Sequence, residues 1–265
     1  MKKNDFKIAL LLALICFVAG LCLVPYQLES LKKTMSTESY QAFIEATPIP
    51  MEFVSLIASF QIFLMSLLLG FIGIKLARKT GFSLDILDSI FRKGKKVLIE
   101  KKPLLLSILF GVITGLIIVG ADRFYYQQRI KAIGEAMPEF SLMGLVTGVL
   151  YGGVMEEVLL RLFFMSLLVW LFLKAARRTK DNASPAFFWA AIIIAALVFA
   201  ALHLPATKGL FGELTGEIIF RSFLLNGIGG IFFGWLYWKK GFEYSIVAHM
   251  FTHISMQLLF IPLFY

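Results

Sequence analysis

The sequence FSLMGLVTGVLYGGVMEEVLLRLFFMSLLVWLFL, residues 140–173, is mainly apolar but contains Glu156, Glu157 and Arg161 near its middle. About 20 apolar residues suffice for a helix to cross a bilayer. This longer run therefore predicts a span that is tilted, or bent near Gly152-Gly153. A charged side chain at the bilayer centre costs roughly 2.5–3.5 kcal/mol on insertion scales. The three charged residues are therefore candidate functional residues.

The rest of the chain has the same apolar character. Its 265 residues are 59% hydrophobic and only 16% charged, whereas a soluble domain is nearer half apolar and about a quarter charged. The predicted fold class is therefore all-α, a polytopic transmembrane helical bundle with about seven spans, within a range of six to eight. The other runs lie at about 8–24, 53–76, 104–121, 186–204, 218–238 and 244–264.

The net charge of +9 indicates membrane topology rather than nucleic-acid binding, because Lys and Arg cluster between the apolar runs. By the positive-inside rule these clusters mark the cytoplasmic side, which places the N-terminus there. The basic clusters are Lys2, Lys3 and Lys7, the segment 78–102, the segment 174–180, and residues 239–240.

The basic segment 78–102 also contains apolar residues at intervals that suggest a short amphipathic helix on the membrane face. These residues are Phe82, Leu84, Ile86, Leu87, Ile90 and Phe91.

The two cysteines, Cys16 and Cys22, lie in the first run. They are six residues apart on one predicted helix, so we expect neither a disulfide between them nor a CxxC metal site. This run follows Met1, Lys2 and Lys3 as in a signal peptide. Because no small-x-small cleavage site precedes the next polar stretch, we expect a retained first span.

The two glutamates in the fourth run, Glu156 and Glu157, can have different roles. Residues four apart share a helix face, so Arg161 can pair with Glu157 and keep it charged. Glu156 is rotated by about 100° from Glu157 and is left to accept a proton. A poorly solvated carboxylate of this kind suits a general base near neutral pH. The alternative is a structural ion pair that joins helices.

All three histidines of the chain, His203, His249 and His253, lie in apolar runs. His249 and His253 are four apart and face the same way. Neutral imidazoles at this spacing can bind a metal or donate hydrogen bonds to an oxyanion, and they can also join helices by hydrogen bonds. For His203 alone, packing is as good an explanation. Together with the two glutamates, the histidines can assemble a water-activating site.

At these residues the sequence resembles the CAAX-processing and bacteriocin-processing (CPBP) family of intramembrane proteases, also called the abortive-infection family. Its Glu-Glu-x-x-x-Arg motif is matched by Glu156, Glu157 and Arg161. Its Phe-x-x-x-His motif is matched by Phe199 and His203, and its His-x-x-x-Asn motif by His249 at the first position. The glycine-rich stretch 226–241 is also similar. The resemblance covers roughly 140–257 and divides the chain into N-terminal helices, 1–138, and a protease core in the last four spans, 139–265.

The resemblance implies cleavage of a peptide bond within or beside the membrane. Glu156 would activate water together with His203. His249 and the residue four later would stabilise the oxyanion, and Glu157 and Arg161 would support the site. The family has been treated both as metalloproteases and as metal-free glutamate enzymes. A metal such as zinc would be bound by Glu156, His203, His249 and His253.

The sequence departs from the family at His253, where an Asn is usual. A histidine there can still donate to an oxyanion, and it can equally be a metal ligand. The role of this position is therefore open, while the family resemblance stands.

The predicted spans conflict with the predicted site. In an alternating bundle the fifth and seventh spans run in the same direction, with His203 late in one and His249 early in the other. At 1.5 Å per residue the two histidines would differ in depth by roughly 15 Å. We therefore expect that the fifth span starts later, or that the sixth run does not cross fully.

Two other functions fit a membrane chain with buried charges. An ion-coupled transporter also uses mid-membrane acids and histidines, but it predicts corresponding polar positions in both halves, and the first 138 residues contain none. A non-catalytic scaffold or immunity protein is the second alternative. The expected partners are membrane lipid and a peptide or membrane-protein substrate, and the compact, Lys/Phe-rich chain suggests a bacterial cell membrane. Prenylated CAAX tails are substrates of eukaryotic family members.

Overall fold

The computed structural model describes residues 4–92, 97, 99–135 and 137–265. In these residues the chain is all-helical, with no β-strand, which confirms the predicted fold class. Within this described part of the chain, seven helices are long and apolar enough to cross a membrane, so the protein is an integral multi-pass membrane protein. The spans are Asp5–Thr34, Met51–Thr80, Lys101–Gln128, Leu142–Ala175, Pro185–Phe211, Gly216–Lys239 and Phe242–Phe264.

Short helices lie between the long spans. They are Thr37–Glu45, Asp85–Ile90 and Lys131–Glu135, with single 3-10 turns at Tyr126–Gln128 and Lys180–Asn182.

Polar side chains cap the start of several helices. Such caps satisfy backbone N–H groups that have no partner within the helix. The capping side chains are those of Ser36, Ser141, Ser184 and Thr215, which accept from the N–H groups of Ser39, Gly144, Ala186 and Ile218.

The fourth span lies at the centre of the bundle. The first span packs along the second, the third along the seventh, and the fifth along the sixth. Residues 148–156 of the fourth span pack against the first and seventh spans. Residues 158–165 of the same span pack against the second, fifth and sixth. The two glutamates therefore lie where all these helices meet.

The central part of the fourth span is a π-helix, over Gly148–Glu156 and Val158–Met165. A π-helix bonds i to i+5, is rare, and occurs often at functional sites. The chain stays helical through Gly152-Gly153. The predicted length of this span is therefore accommodated in one continuous helix, Leu142–Ala175.

The basic segment after the second span differs from the prediction of a helix lying on the membrane face. The helix covers only Asp85–Ile90, and the apolar residues before it are buried inside the protein. The Phe82 ring stacks on Tyr237 at 4.2 Å, and Glu243 Oε1 accepts the Leu87 N–H at 2.7 Å. These residues pack against the sixth and seventh spans, a contact that the sequence pattern alone does not predict. Lys2, Lys3, Lys93, Lys95 and Lys96 lie outside the described residues.

An ion-pair cluster ties this segment to the first two spans. The Arg78 Nε donates to Asp5 Oδ1 at 2.8 Å. Its Nη1 and Nη2 donate to the two oxygens of Asp88 at 3.0 and 2.7 Å. The Lys75 Nζ lies 3.7 Å from Asp5 Oδ2. Arg78 is thus bonded through all three of its nitrogens.

The prediction that a span boundary is misplaced was wrong, because the fifth span starts at Pro185 and the sixth, Gly216–Lys239, has the full length of a span. The difference in depth between His203 and His249 remains, and Phe199 bridges it by contacting both rings. The Phe82 ring contacts Phe188, and both belong to an aromatic cluster that reaches Phe242 through Tyr237.

From this aromatic level, Phe199 is eleven residues further along the fifth span, and His249 is seven residues further along the seventh. At 1.5 Å per residue the two differ in depth by only about 6 Å. Their ring centroids are 5.8 Å apart. His203, one turn after Phe199, has its ring 4.6 Å from that of Phe199. One phenylalanine therefore contacts both histidines.

Candidate active site

A buried chain of three side chains forms the centre of the candidate site. The Arg161 Nη1 donates to Glu157 Oε1 at 2.7 Å. The same oxygen lies 2.9 Å from His249 Nδ1. The Glu157 side chain is fully buried, and those of Arg161 and His249 are 1% and 5% exposed. A carboxylate oxygen accepts hydrogen bonds, so His249 Nδ1 carries the proton and donates it to Glu157.

Glu156 faces the other nitrogen of His249. Its Oε2 lies 3.7 Å from His249 Nε2, and its side chain is 20% exposed. That distance is too long for a direct hydrogen bond. A water at about 2.8 Å from each atom would bridge them. Glu156 and Glu157 therefore have different environments, as their positions on the helix predicted.

Arg161 also connects the fourth span to the fifth and sixth. Its guanidinium lies 4.9 Å from the Phe199 ring and 5.3 Å from the Phe233 ring. Its Nη2 donates to the Gly230 carbonyl at 3.4 Å. Aromatic faces stabilise a desolvated cation. This pairing explains how an arginine can be buried among apolar helices.

His253 packs against small residues of the fourth span. Its ring lies 5.3 Å from that of His249. A Cβ on Gly148 would lie 2.5 Å from the His253 ring, and a Cβ on Gly152 would lie 2.6 Å from His253 Nε2. Two glycines four residues apart thus make room for this histidine.

His203 lies at the break between the helices Pro185–Leu202 and Leu204–Phe211. Its Nδ1 lies 2.9 Å from the Phe199 carbonyl oxygen, to which it donates. In the described part of the chain His203 forms no ion pair with Glu156 or Glu157. The structure therefore brings His249, rather than His203, nearest to Glu156.

The side chains predicted for a metal do not converge as a metal site. Among the described residues no three His, Cys, Asp or Glu side chains form a group that could hold a metal ion. His249 Nδ1 is engaged by Glu157, and His203 Nδ1 by a backbone carbonyl. Structural zinc sites use four ligands and catalytic sites three. The predicted set of Glu156, His203, His249 and His253 does not fit zinc in this arrangement.

The sequence analysis did not identify several residues of the site. Phe233 stacks on His249 at 4.7 Å and contacts Arg161, yet it is one apolar residue among many. Gly148 and Gly152 do carry a signal, because their spacing of four matches that of His249 and His253. Small residues at such spacing allow close packing of membrane helices.

The fold and these side chains define an integral membrane protein with acidic, basic and imidazole groups gathered inside a helical bundle. Residues 138–255 match the family model described as Rce1-like, type II CAAX prenyl endopeptidase. This match agrees with the CPBP/CAAX resemblance over the part of the chain that contains the site, and it supports a CAAX-type intramembrane protease in general terms. Searches of curated proteins and of solved structures gave no match.

Proposed function

We propose that the protein is an intramembrane endopeptidase in which Glu156 activates water for attack on a peptide bond. The observation that carries this proposal is the placement of Glu156 Oε2 3.7 Å from His249 Nε2, beside a buried Glu157 that orients the imidazole. The substrate is a membrane-associated peptide or protein.

The tautomer of His249 supports this role. Because its Nδ1–H is donated to Glu157, the neutral ring has a lone pair on Nε2. A bridging water could then direct one hydrogen to Glu156 and the other to His249. Glu156 takes its proton as the water oxygen attacks the carbonyl carbon. It then delivers that proton to the leaving amine, as a general base that turns general acid.

The remaining residues position the reacting groups. Arg161 forms an ion pair with Glu157, and Glu157 fixes the His249 ring. We assign His253, which is stacked on His249, to the oxyanion. In this proposal His249 takes the position beside Glu156 that the family resemblance gave to His203. The Nδ1–H of His203 is donated to the Phe199 carbonyl, so its Nε2 can accept a hydrogen bond. No step of this mechanism passes through a metal.

Cleavage assays on the full chain in lipid vesicles test the proposal. A farnesylated CAAX peptide and an unprenylated membrane-spanning peptide serve as probes, with products identified by mass spectrometry. We expect cleavage of at least one probe, without loss after treatment with a zinc chelator. No cleavage of either probe by a folded protein would contradict the peptidase assignment, and loss with the chelator, restored by zinc, would contradict the metal-free mechanism.

We also propose a cytoplasmic N-terminus, a bacterial cell membrane, and a division of the chain near residue 138. The support for the orientation is the bias of Lys and Arg toward one set of span ends. Reporter fusions at the N-terminus and after residue 265 test it. We expect a cytoplasmic signal only at the N-terminus, and the opposite result would contradict the orientation.

A further inference from the structure

A cavity of about 440 Å³ lies where the second and fourth spans end. Five cationic side chains line it, and the acidic one in its lining is that of Asp181. Its cationic lining residues are Arg78, Lys79, Lys174, Arg178 and Lys180. It is separate from the candidate active site, because Trp170 in its wall is fourteen residues from Glu156, or about 21 Å along a helix.

The charge of this cavity is not balanced within its lining. Arg78 is paired with Asp5 and Asp88, and the other four cations face the cavity with Asp181. Those four side chains belong to exposed residues. Like charges that converge repel each other unless an anion lies between them. The arrangement is therefore suited to an anionic ligand.

Trp170 brings two of these cations together. The Lys174 Nζ lies 5.2 Å from the Trp170 ring centroid, and the Lys79 Nζ lies 5.9 Å from it. One lysine ends the fourth span and the other ends the second. The indole ring thus holds ammonium groups from two helices at one site, through cation–π attraction.

A backbone turn after the fourth span places two further cationic residues, Arg178 and Lys180, in the lining of the same cavity. Arg177 has φ 53°, the left-handed conformation that glycine usually adopts at a helix end. The Arg178 N–H donates to the Leu173 carbonyl at 2.9 Å. This tight reversal places Arg178 and Lys180 over the end of the helix. A non-glycine residue is uncommon in this conformation.

From these contacts we infer that the cavity binds the phosphate group of an anionic phospholipid. Trp residues and cations occur together at the level of lipid headgroups, and basic pockets between span ends bind phosphate-bearing headgroups. Leu171, next to Trp170, is 44% exposed on the apolar surface of the span. It offers a path for the acyl chains, which a free phosphate would not use.

Native mass spectrometry of the full chain in detergent tests this site with dioleoyl phosphatidylglycerol, dioleoyl phosphatidylcholine and inorganic phosphate as probes. We expect retention of phosphatidylglycerol in preference to phosphatidylcholine, with no displacement by millimolar phosphate. The double variant Lys174→Gln/Arg178→Gln should bind phosphatidylglycerol about thirtyfold more weakly, from about 1 kcal/mol per cation and 1.4 kcal/mol per tenfold.

Arg177→Gln is the matched control, because it removes one charge from the same turn but Arg177 does not line the cavity. We expect unchanged lipid binding in this variant, and retained binding in the charge-conserving exchange Lys174→Arg/Arg178→Lys. Lys79→Gln tests the second span independently and should weaken binding about fivefold. Equal loss in Arg177→Gln and Arg178→Gln, equal retention of both lipids, or displacement by phosphate would overturn the inference.

Discussion

The arginine–carboxylate clusters around Arg78 and Arg161 differ in which neighbouring groups they position. Arg78 uses its three nitrogens on Asp5 and Asp88, which come from the first span and the Asp85–Ile90 helix. Arg161 donates to one carboxylate, Glu157, and to the Gly230 carbonyl, and it lies against two aromatic rings. The first cluster joins three segments at the end of the bundle.

The ion pair of the second cluster also positions neighbouring side chains. Glu157 shares one oxygen between Arg161 and His249, and the oriented imidazole then faces Glu156. A buried ion pair alone is weak support for function, because many serve only structure. The cluster around Arg161 differs because Glu156 and the His249 imidazole lie beside it, close to each other but without a direct hydrogen bond.

The largest expected effect follows from Glu156→Gln. Removing a general base lowers rates by 10²–10⁴-fold, so cleavage of the probe peptides should fall by about a thousandfold. The side chain is 20% exposed, and the thermal unfolding midpoint should change by no more than a few degrees. Glu243→Gln is the control, because this buried glutamate accepts the Leu87 N–H, an amide oxygen can replace it, and it lies six residues before His249, about 9 Å along the helix. Equal loss in both variants would contradict a catalytic Glu156.

Replacing each arginine by methionine separates the two clusters. Each change removes the arginine partner of a buried carboxylate, which destabilises by about 3–5 kcal/mol. Denaturation of the purified variants should show this loss for both Arg161→Met and Arg78→Met. Activity per folded molecule should fall only in Arg161→Met. If Arg78→Met loses as much activity per folded molecule, the distinction between the clusters fails.

A smaller effect is expected from Gly152→Ala. The added Cβ would lie 2.6 Å from His253 Nε2, and such overpacking costs typically about 1–3 kcal/mol. The displaced histidines should also slow cleavage. Gly227→Ala in the sixth span is the control, since a Cβ there meets nothing within 4 Å. Thermal unfolding should show a lower midpoint for Gly152→Ala only, and equal midpoints would contradict the tight fit at His253.

The smallest effect is expected from His253→Asn, which restores the residue usual in the family resemblance. Both side chains can donate a hydrogen bond, so the cleavage rate should change by less than tenfold. His253→Leu, of similar bulk but without a donor, should lose about a hundredfold or more, as removal of an oxyanion donor does. Equal rates in the two variants would remove His253 from the proposed oxyanion site.

The sequence was sufficient for the helical class and for the Glu157–Arg161 ion pair, but not for the partner of Glu156. Runs of apolar residues predict spans directly, and the spacing of Glu157 and Arg161 predicted their ion pair. The partner of Glu156 was not predictable, because the starting depth of each helix is set by contacts such as Phe82 with Phe188 and Tyr237. The burial of Phe82 and Leu84 inside the protein was also not predictable, because an amphipathic pattern does not show whether the apolar face packs against lipid or against protein.

A double-mutant cycle on Glu156→Gln and His249→Gln tests most directly whether both residues act on one water. The cleavage rate of a probe peptide by wild type, both single variants and the double variant is measured in the same vesicles. If the two groups act as one unit, their effects are not additive, and the double variant should be no slower than the slower single variant within about threefold. Rate losses that multiply in the double variant would contradict a shared water.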